Sequence, residues 1–171
     1  QTHTLLDTKM KLLNTLFQNQ KFGTYLNSSN YMNFKFGDLA SFISDRVEPS
    51  KSSLKKFVGL EHIDSDWLRI ERYDKPDDLK GTKLLVKIND IIFGKRNAYL
   101  RKVAISHIDC ICSAHAMVLR AKEKNVDKIF LGYFMQSDEF MERAKMISEG
   151  SISPTIKWKN LEKQELTPRK S

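Results

Sequence analysis

The sequence predicts an α+β fold: an irregular, β-rich domain with a helical pair towards its end, preceded by a coiled-coil-like helix. Three observations predict it. Apolar residues recur at helical spacing between Leu5 and Phe17. Short runs rich in Val, Ile, Phe and Tyr, punctuated by Gly and Pro, then fill Phe34 to Arg120. Helical spacing returns from Ile129 to Ile147. At 171 residues the chain has room for one domain of common size and an appendage, divided as a helix over 1–23, a linker over 24–33 and the domain over 34–171.

In the first helix Leu6, Met10, Leu13 and Phe17 follow steps of four, three and four, flanked by Leu5, Leu12 and Leu16. Such a stripe is too wide to stay in water, so it lies against another helix or the domain. The polar stretch from Gly23 to Asn33 reads as the linker. Strands are expected at Leu39–Ile43, Phe57–Leu60, Trp67–Tyr73, Leu84–Ile88, Ile91–Phe93, Tyr99–Ile105 and Ala116–Arg120. Between them, Ser44 to Lys56 and Tyr73 to Thr82 carry charge without periodicity, and loops of that length are more often functional than not. Ile129, Tyr133 and Phe134, then Phe140, Ala144 and Ile147, place two helices around a break at Ser137-Asp138. Asp138 is the expected N-cap of the second helix and Gly150 its stop. A short strand at Thr155–Trp158 follows.

Composition narrows the function. Lys and Arg total 29 against 21 Asp and Glu, a net charge of +8 that favours polyanionic partners. Ten Phe, five Tyr and two Trp mark a globular chain, not a basic tail. The only cysteines, Cys110 and Cys112, share one face of a strand at a spacing unsuited to a disulfide, so they read as reduced, buried thiols. A zinc site there would need His107 or His115 to complete it. No apolar run approaches membrane-spanning length and no signal peptide is visible, which points to the cytoplasm. The chain starts at Gln1, not Met, and so reads as a fragment or a processed form.

Signs of catalysis are missing. There is no phosphate-binding glycine loop, no nucleophile elbow and no His-Glu-x-x-His. Pro76-Asp77-Asp78-Leu79-Lys80 fails as a nuclease centre, because adjacent acids cannot supply metal ligands from two strands; a Pro-Asp turn explains it better. Ser113 beside His115 lacks a third group to orient the base, so His115 reads as a structural histidine. His62, next to Glu61 and near Asp64 and Asp66, belongs to a metal site or, preferably, a polar loop. No catalytic residue, metal or cofactor is expected.

The most informative stretch runs from Ile91 to Arg120. Lys95, Arg96, Arg101 and Lys102 surround Asn97 and Tyr99, placing four cations and two groups able to touch bases within eight residues. That composition suits phosphate neutralisation first and base contact second, although a solvated hairpin tip has the same composition. Five segments, in order across about residues 34 to 160, carry a resemblance. They are Phe36-Gly37-Asp38, then Val58 to Ile63, then Asn89 to Val103, then Cys112-Ser113-Ala114-His115, and finally Gly150 to Trp158. Together they resemble the target recognition domain of type I restriction-modification specificity subunits.

The resemblance implies a strongly curved recognition domain without an active site, which reads one half of a split double-stranded DNA target. Methylation and cleavage would belong to a methyltransferase subunit and a restriction subunit. The helix from Leu5 to Phe17 resembles the end of the family's conserved spacer helix, with Leu6, Met10, Leu13 and Phe17 at a subunit interface. One recognition domain is present where the family's complete subunit has two, so the partner is a second recognition half or a second copy of this chain. Lys95, Arg96, Asn97, Tyr99, Arg101, Lys102, Lys157 and Lys159 are the candidate DNA-backbone contacts. Arg46, Lys51, Lys55, Arg69, Arg72 and Lys75, on the aperiodic loops and beside them, are the candidate base contacts. Two alternatives stay open: the recognition domain of a single-chain restriction-modification enzyme, and a regulator that captures such subunits without reading DNA.

Overall fold

The computed structural model describes residues 35–165. Its strands are β1 (Ala40–Ile43), β2 (Arg46–Val47), β3 (Phe57–Val58), β4 (Lys83–Val86), β5 (Ile91–Phe93), β6 (Val103–Ile105), β7 (Cys110–Cys112) and β8 (Met117–Ala121). Its helices are α1 (Phe36–Leu39), α2 (Lys128–Met135), α3 (Asp138–Met146) and α4 (Trp158–Leu161), with single 3-10 turns at Pro49–Lys51, Leu60–His62 and Ala98–Leu100. The expected coiled-coil-like helix and linker lie outside the described residues.

One antiparallel sheet has the order β1-β8-β5-β6, and a second has the order β2-β4-β7-β3, in which only β3 and β7 run parallel. The first sheet is the middle layer. Ile91, Phe93, Val103, Met117 and Leu119 on one of its faces pack with Phe130, Leu131, Phe134, Phe140 and Met141 of α2 and α3. Ile92, Ala104 and Val118 on the other face pack against Val58, Leu84, Val86, Cys110 and Cys112 of the second sheet. Ile91, Ile92 and Phe93 are each 0% exposed, which is why β5 is an unbroken apolar run and not an alternating one. Burying a side chain of that size contributes about 1.5–3 kcal/mol.

Both cysteines face this inner layer, reduced and buried. Burial pushes the Cys110 thiol up to about 11 and Cys112 higher still, so both stay protonated and unreactive near neutrality.

Several expected elements change. Trp67–Tyr73 forms no ladder: Leu68 and Ile70 are buried, but the segment touches a sheet only through single bridges, Arg69 to Ile105 and Asp74, next along the chain, to Phe57. Ser44–Lys56 is not an open loop, because Arg46 and Val47 pair with Leu84 and Lys83. The N-cap of α3 is Ser137, whose Oγ accepts the Phe140 N–H at 3.3 Å, so Asp138 is the first helical residue. That helix ends at Met146, and Gly150, with φ +105°, belongs to the turn beyond. Thr155–Trp158 contributes bridges from Thr155 to Arg96 and Glu149 before Trp158 starts α4. Ile129 is 45% exposed, while Phe134, Phe140 and Ala144 from the same periodic set are buried.

The two flanks of the described domain meet. Lys35 bridges Glu165, and the Phe36 and Gly37 N–H groups donate to the carbonyls of Gln164 and Glu162 at 2.8 and 3.0 Å. A Cβ on Gly37 would stand 3.1 Å from Glu162, so glycine there permits the close approach.

Candidate nucleic-acid interface

The turn after β5 holds two kinds of cation. Arg101 adopts φ +55°, and its guanidinium donates to Asp66 at 2.6 Å, to Asp138 at 3.0 Å and to the Gln136 carbonyl at 2.5 Å. Its charge is neutralised inside the fold. The Lys102 ammonium donates to the Leu60 carbonyl at 2.6 Å and is half-buried. Asn97, also at φ +55°, donates its N–H to the Pro154 carbonyl at 2.8 Å and holds the Ala98–Leu100 turn from its own carbonyl. Its Oδ1 and the Gln136 Oε1 are buried without a hydrogen-bond partner among the described residues. These three positions fasten the turn.

The second kind points outwards. Arg96 and Tyr99 are exposed, Tyr99 by 58%. Lys95 is half-buried; desolvation first, then the neighbouring Arg46 guanidinium, holds its ammonium pKa below the usual lysine value. Lys157 pairs with Glu149, and that hydrogen bond, seconded by Asn160, draws the Glu149 carboxyl below its ordinary range. Lys159 is exposed.

The residues expected to read bases also divide. Lys51 pairs with Glu48 at 2.8 Å, Arg69 faces Glu71 at 3.5 Å, and Arg72 binds Asp64 at 2.7 Å and the Glu61 carbonyl at 2.9 Å. Arg46, Lys55 and Lys75 are exposed without an ion pair among the described residues. The antiparallel Phe57–Asp74 bridge brings Lys55 and Lys75 to one edge, where the Lys56 ammonium lies 4.8 Å from the centre of the Tyr73 ring. Sequence reasoning missed Lys56 and Tyr73 as a pair, since the only thing joining them is a bridge between segments far apart in the chain.

Two constellations weighed in the sequence and read there as structural are structural here, the first with Asp74 beside His62 in place of Asp64 and Asp66. Glu61, His62 and Asp74 bring donor atoms within 4.8 Å of one another. However, His62 Nδ1 accepts the Gly59 N–H at 2.9 Å, which puts the ring proton of the neutral imidazole on Nε2, 3.3 Å from Asp74 Oδ2. A protonated nitrogen has no lone pair for a metal, so His62 acts as a clasp between Gly59 and Asp74. Ser113 Oγ accepts the backbone N–H of His115 at 3.1 Å in the turn joining the sheets. His115, read from the sequence as a structural histidine, has an exposed side chain, and its backbone N–H is what joins the turn. Pro76 to Leu79 forms the expected turn, closed by the Leu79 N–H on the Pro76 carbonyl at 3.3 Å, with Asp77 and Asp78 exposed and Pro76 itself buried.

A two-sheet frame backed by helices, with uncommitted cations on its rim, has the chemistry of a polyanion-binding domain. Residues 28–167 match the family described as the type I restriction modification DNA specificity domain, and the chain belongs to that family. Solved structures agree on the fold. A chain from a structure on complex assembly and conformational transition of the type I R-M system matches with a TM-score of 0.65 at 20% identity, covering 77% of this chain and 36% of that one. The HsdS subunit from Thermoanaerobacter tengcongensis matches with a TM-score of 0.63, also at 20% identity and with the same coverage of 77% and 36%. This chain therefore spans 36% of the length of either structure. No curated protein sequence matches it. Among the described residues no helix is long and apolar enough to cross a membrane.

Proposed function

We propose that this chain reads one half of a bipartite DNA sequence within a type I restriction-modification complex, directing methyltransferase and restriction subunits and catalysing nothing itself. Family membership over residues 28–167 is the observation that carries the reading. Residues 1–23 then act as the end of a spacer helix that presents Leu6, Met10, Leu13 and Phe17 to another subunit, and 24–33 as the linker to the recognition domain at 34–171. Pairing with a second recognition half, or a second copy, completes the target.

Lys95, Arg96, Tyr99, Lys157 and Lys159 are the proposed backbone contacts. Arg46, Lys55 and Lys75 are the proposed groove-facing residues with their charge still available, and Lys51, Arg69 and Arg72 would have to leave weak surface pairs to join them. Asn97, Arg101 and Lys102 hold the turn that presents the others.

Two binding measurements test this. Random duplex at low salt should bind with an affinity that falls steeply as salt rises, and selection from a random pool should enrich one half-site. Salt-dependent binding without enrichment would refute sequence reading. Capture of a methyltransferase subunit with no duplex binding at all would instead make the chain a regulator.

A further inference from the structure

We propose that Lys56, held over the ring of Tyr73, is a DNA-phosphate contact and that Tyr73 is its positioning residue. The occupant rests on the DNA-reading proposal above, which gives neither residue a role.

The pair stands on a braced margin beside β3. The Phe57 N–H donates to the Asp74 carbonyl at 2.8 Å, the Asp74 N–H donates back to the Phe57 carbonyl at 2.9 Å, and the Ile111 N–H donates to the Lys56 carbonyl at 3.0 Å. The backbone at Lys56 is thereby tied to β7 on one side and to the segment around Asp74 on the other. Across the antiparallel Phe57–Asp74 bridge, Lys56 and Tyr73 are diagonal neighbours on one face, within reach of a long and an aromatic side chain. They meet, with the Lys56 ammonium 4.8 Å from the centre of the ring. Asp74 belongs to the opposite face, where its Oδ2 lies 3.3 Å from His62 Nε2. Asp77 and Asp78 follow only beyond the buried Pro76. Lys55, Lys56 and Lys75 have no ion pair among the described residues, whereas Lys51, Arg69 and Arg72 on the adjoining segments do.

A carboxylate would order Lys56 by cancelling its charge. An aromatic ring orders it and leaves the charge in place, and the ammonium hydrogens turned away from the ring can still donate. Part of the side-chain entropy that gripping a phosphate removes is therefore already lost in the free protein. Tyr73 is 47% exposed, so a duplex can reach the pair, and the exposed Lys55 and Lys75 beside it add charge of the same sign. A fixed, uncancelled cation among other uncancelled cations fits a phosphodiester.

Lys56→Met, Tyr73→Leu, Tyr73→Phe and the Lys56→Met/Tyr73→Leu double variant of the full chain test the proposal on random duplex over a salt series. Lys56→Met should lower the salt slope by about 0.9, because one phosphate is no longer neutralised. Tyr73→Leu should weaken binding by about two- to five-fold with the slope unchanged, since the lysine remains but is less ordered, and Tyr73→Phe should restore the affinity. In the Lys56→Met background, Tyr73→Leu should have no further effect. An unchanged slope in Lys56→Met overturns the contact. A Tyr73→Leu loss that persists without Lys56, or that Tyr73→Phe fails to restore, overturns the positioning role. Thermal melting checks that each variant is folded at the temperature of the titration. Without any DNA, the Lys56 Cε protons should show an upfield ring-current shift in NMR that Tyr73→Leu removes; no such shift in the unaltered chain overturns the pair. If the unaltered chain binds no duplex, the DNA reading falls and the contact with it, whereas binding with a full slope in Lys56→Met sinks the contact alone.

Discussion

Removing the guanidinium of Arg120 should destabilise this domain more than removing the charge of its partner, Asp90. The Asp90 carboxylate is 1% exposed and accepts from Arg120 Nε at 2.7 Å, Arg120 Nη2 at 2.9 Å and the Lys87 N–H at 2.9 Å. This bond ties the residue before β5 to the outgoing half of β8 in the middle sheet, and it raises the Arg120 pKa. Arg120→Met keeps most of the packing of the stem but leaves a buried carboxylate with one donor. Losing one partner from a buried pair costs about 3–5 kcal/mol, and because Arg120 is 41% exposed, water offsets part of that, leaving about 2–3 kcal/mol. Asp90→Asn removes the buried charge and frees an arginine that already reaches solvent, so it costs about 1 kcal/mol. The double variant should fall short of the sum by about 1–2 kcal/mol. Urea unfolding at neutral pH measures all three, read as midpoint shifts at constant m-value. An Asp90→Asn loss equal to or larger than that of Arg120→Met, or strict additivity, would refute the reasoning.

Arg101→Lys should cost about 2 kcal/mol in thermal or urea unfolding, since a lysine cannot reach Asp66, Asp138 and the Gln136 carbonyl together, while the salt slope of duplex binding stays unchanged. A lost slope would make Arg101 a phosphate contact. For Cys110 the folded state keeps a proton that the unfolded state has lost, because burial raises the thiol from 9.0 to about 11. Stability from this group is therefore complete below pH 9 and declines towards pH 11, by about 3 kcal/mol, and Cys110→Ala should flatten the decline in a pH series of unfolding curves. In α2, a Cβ at Gly132 would stand 2.6 Å from Ile105 Cδ1 and 2.8 Å from Cγ1. The helix propensity gained by Gly132→Ala, about 1 kcal/mol, is offset by overpacking of about 1–3 kcal/mol, and the net loss should shrink when Ile105→Val is added.

How far the sequence could be read depended on whether each signal was local. β5 was legible to the residue because Ile91-Ile92-Phe93 is a short apolar run bounded by Asn89-Asp90 and Gly94, and both of its faces are buried. Trp67–Tyr73 has the same texture, but its alternation of Leu68 and Ile70 with Arg69 serves packing at a margin, without a partner strand. β2 is two residues long and leaves no periodicity to find. For the interface, composition identified the cations but not their partners. Arg96 and Arg101 look alike in the sequence; Arg101 is spent because Asp66 and Asp138, 35 and 37 residues away, come to it. The segments that carried the family resemblance turn out to be mostly frame. Phe36 is buried against Phe140 at 5.5 Å and Trp158 at 6.1 Å, Gly59 meets His62, and Ser113 closes the turn between sheets. A frame shared across a family is what a motif records; under the proposed function, the choice of bases falls to the residues outside it.

The pairing of Lys35 with Glu165 has a mechanical consequence. Because both flanks enter at one point and run antiparallel there, a pull on them loads the Phe36–Gln164 and Gly37–Glu162 bonds one after another, as in peeling, and does not share the load between them. A twist delivered through one flank is resisted at once by the other. The described domain is thus closed by a clasp at one point, and tension applied at Lys35 and Glu165 opens it there first, bond by bond.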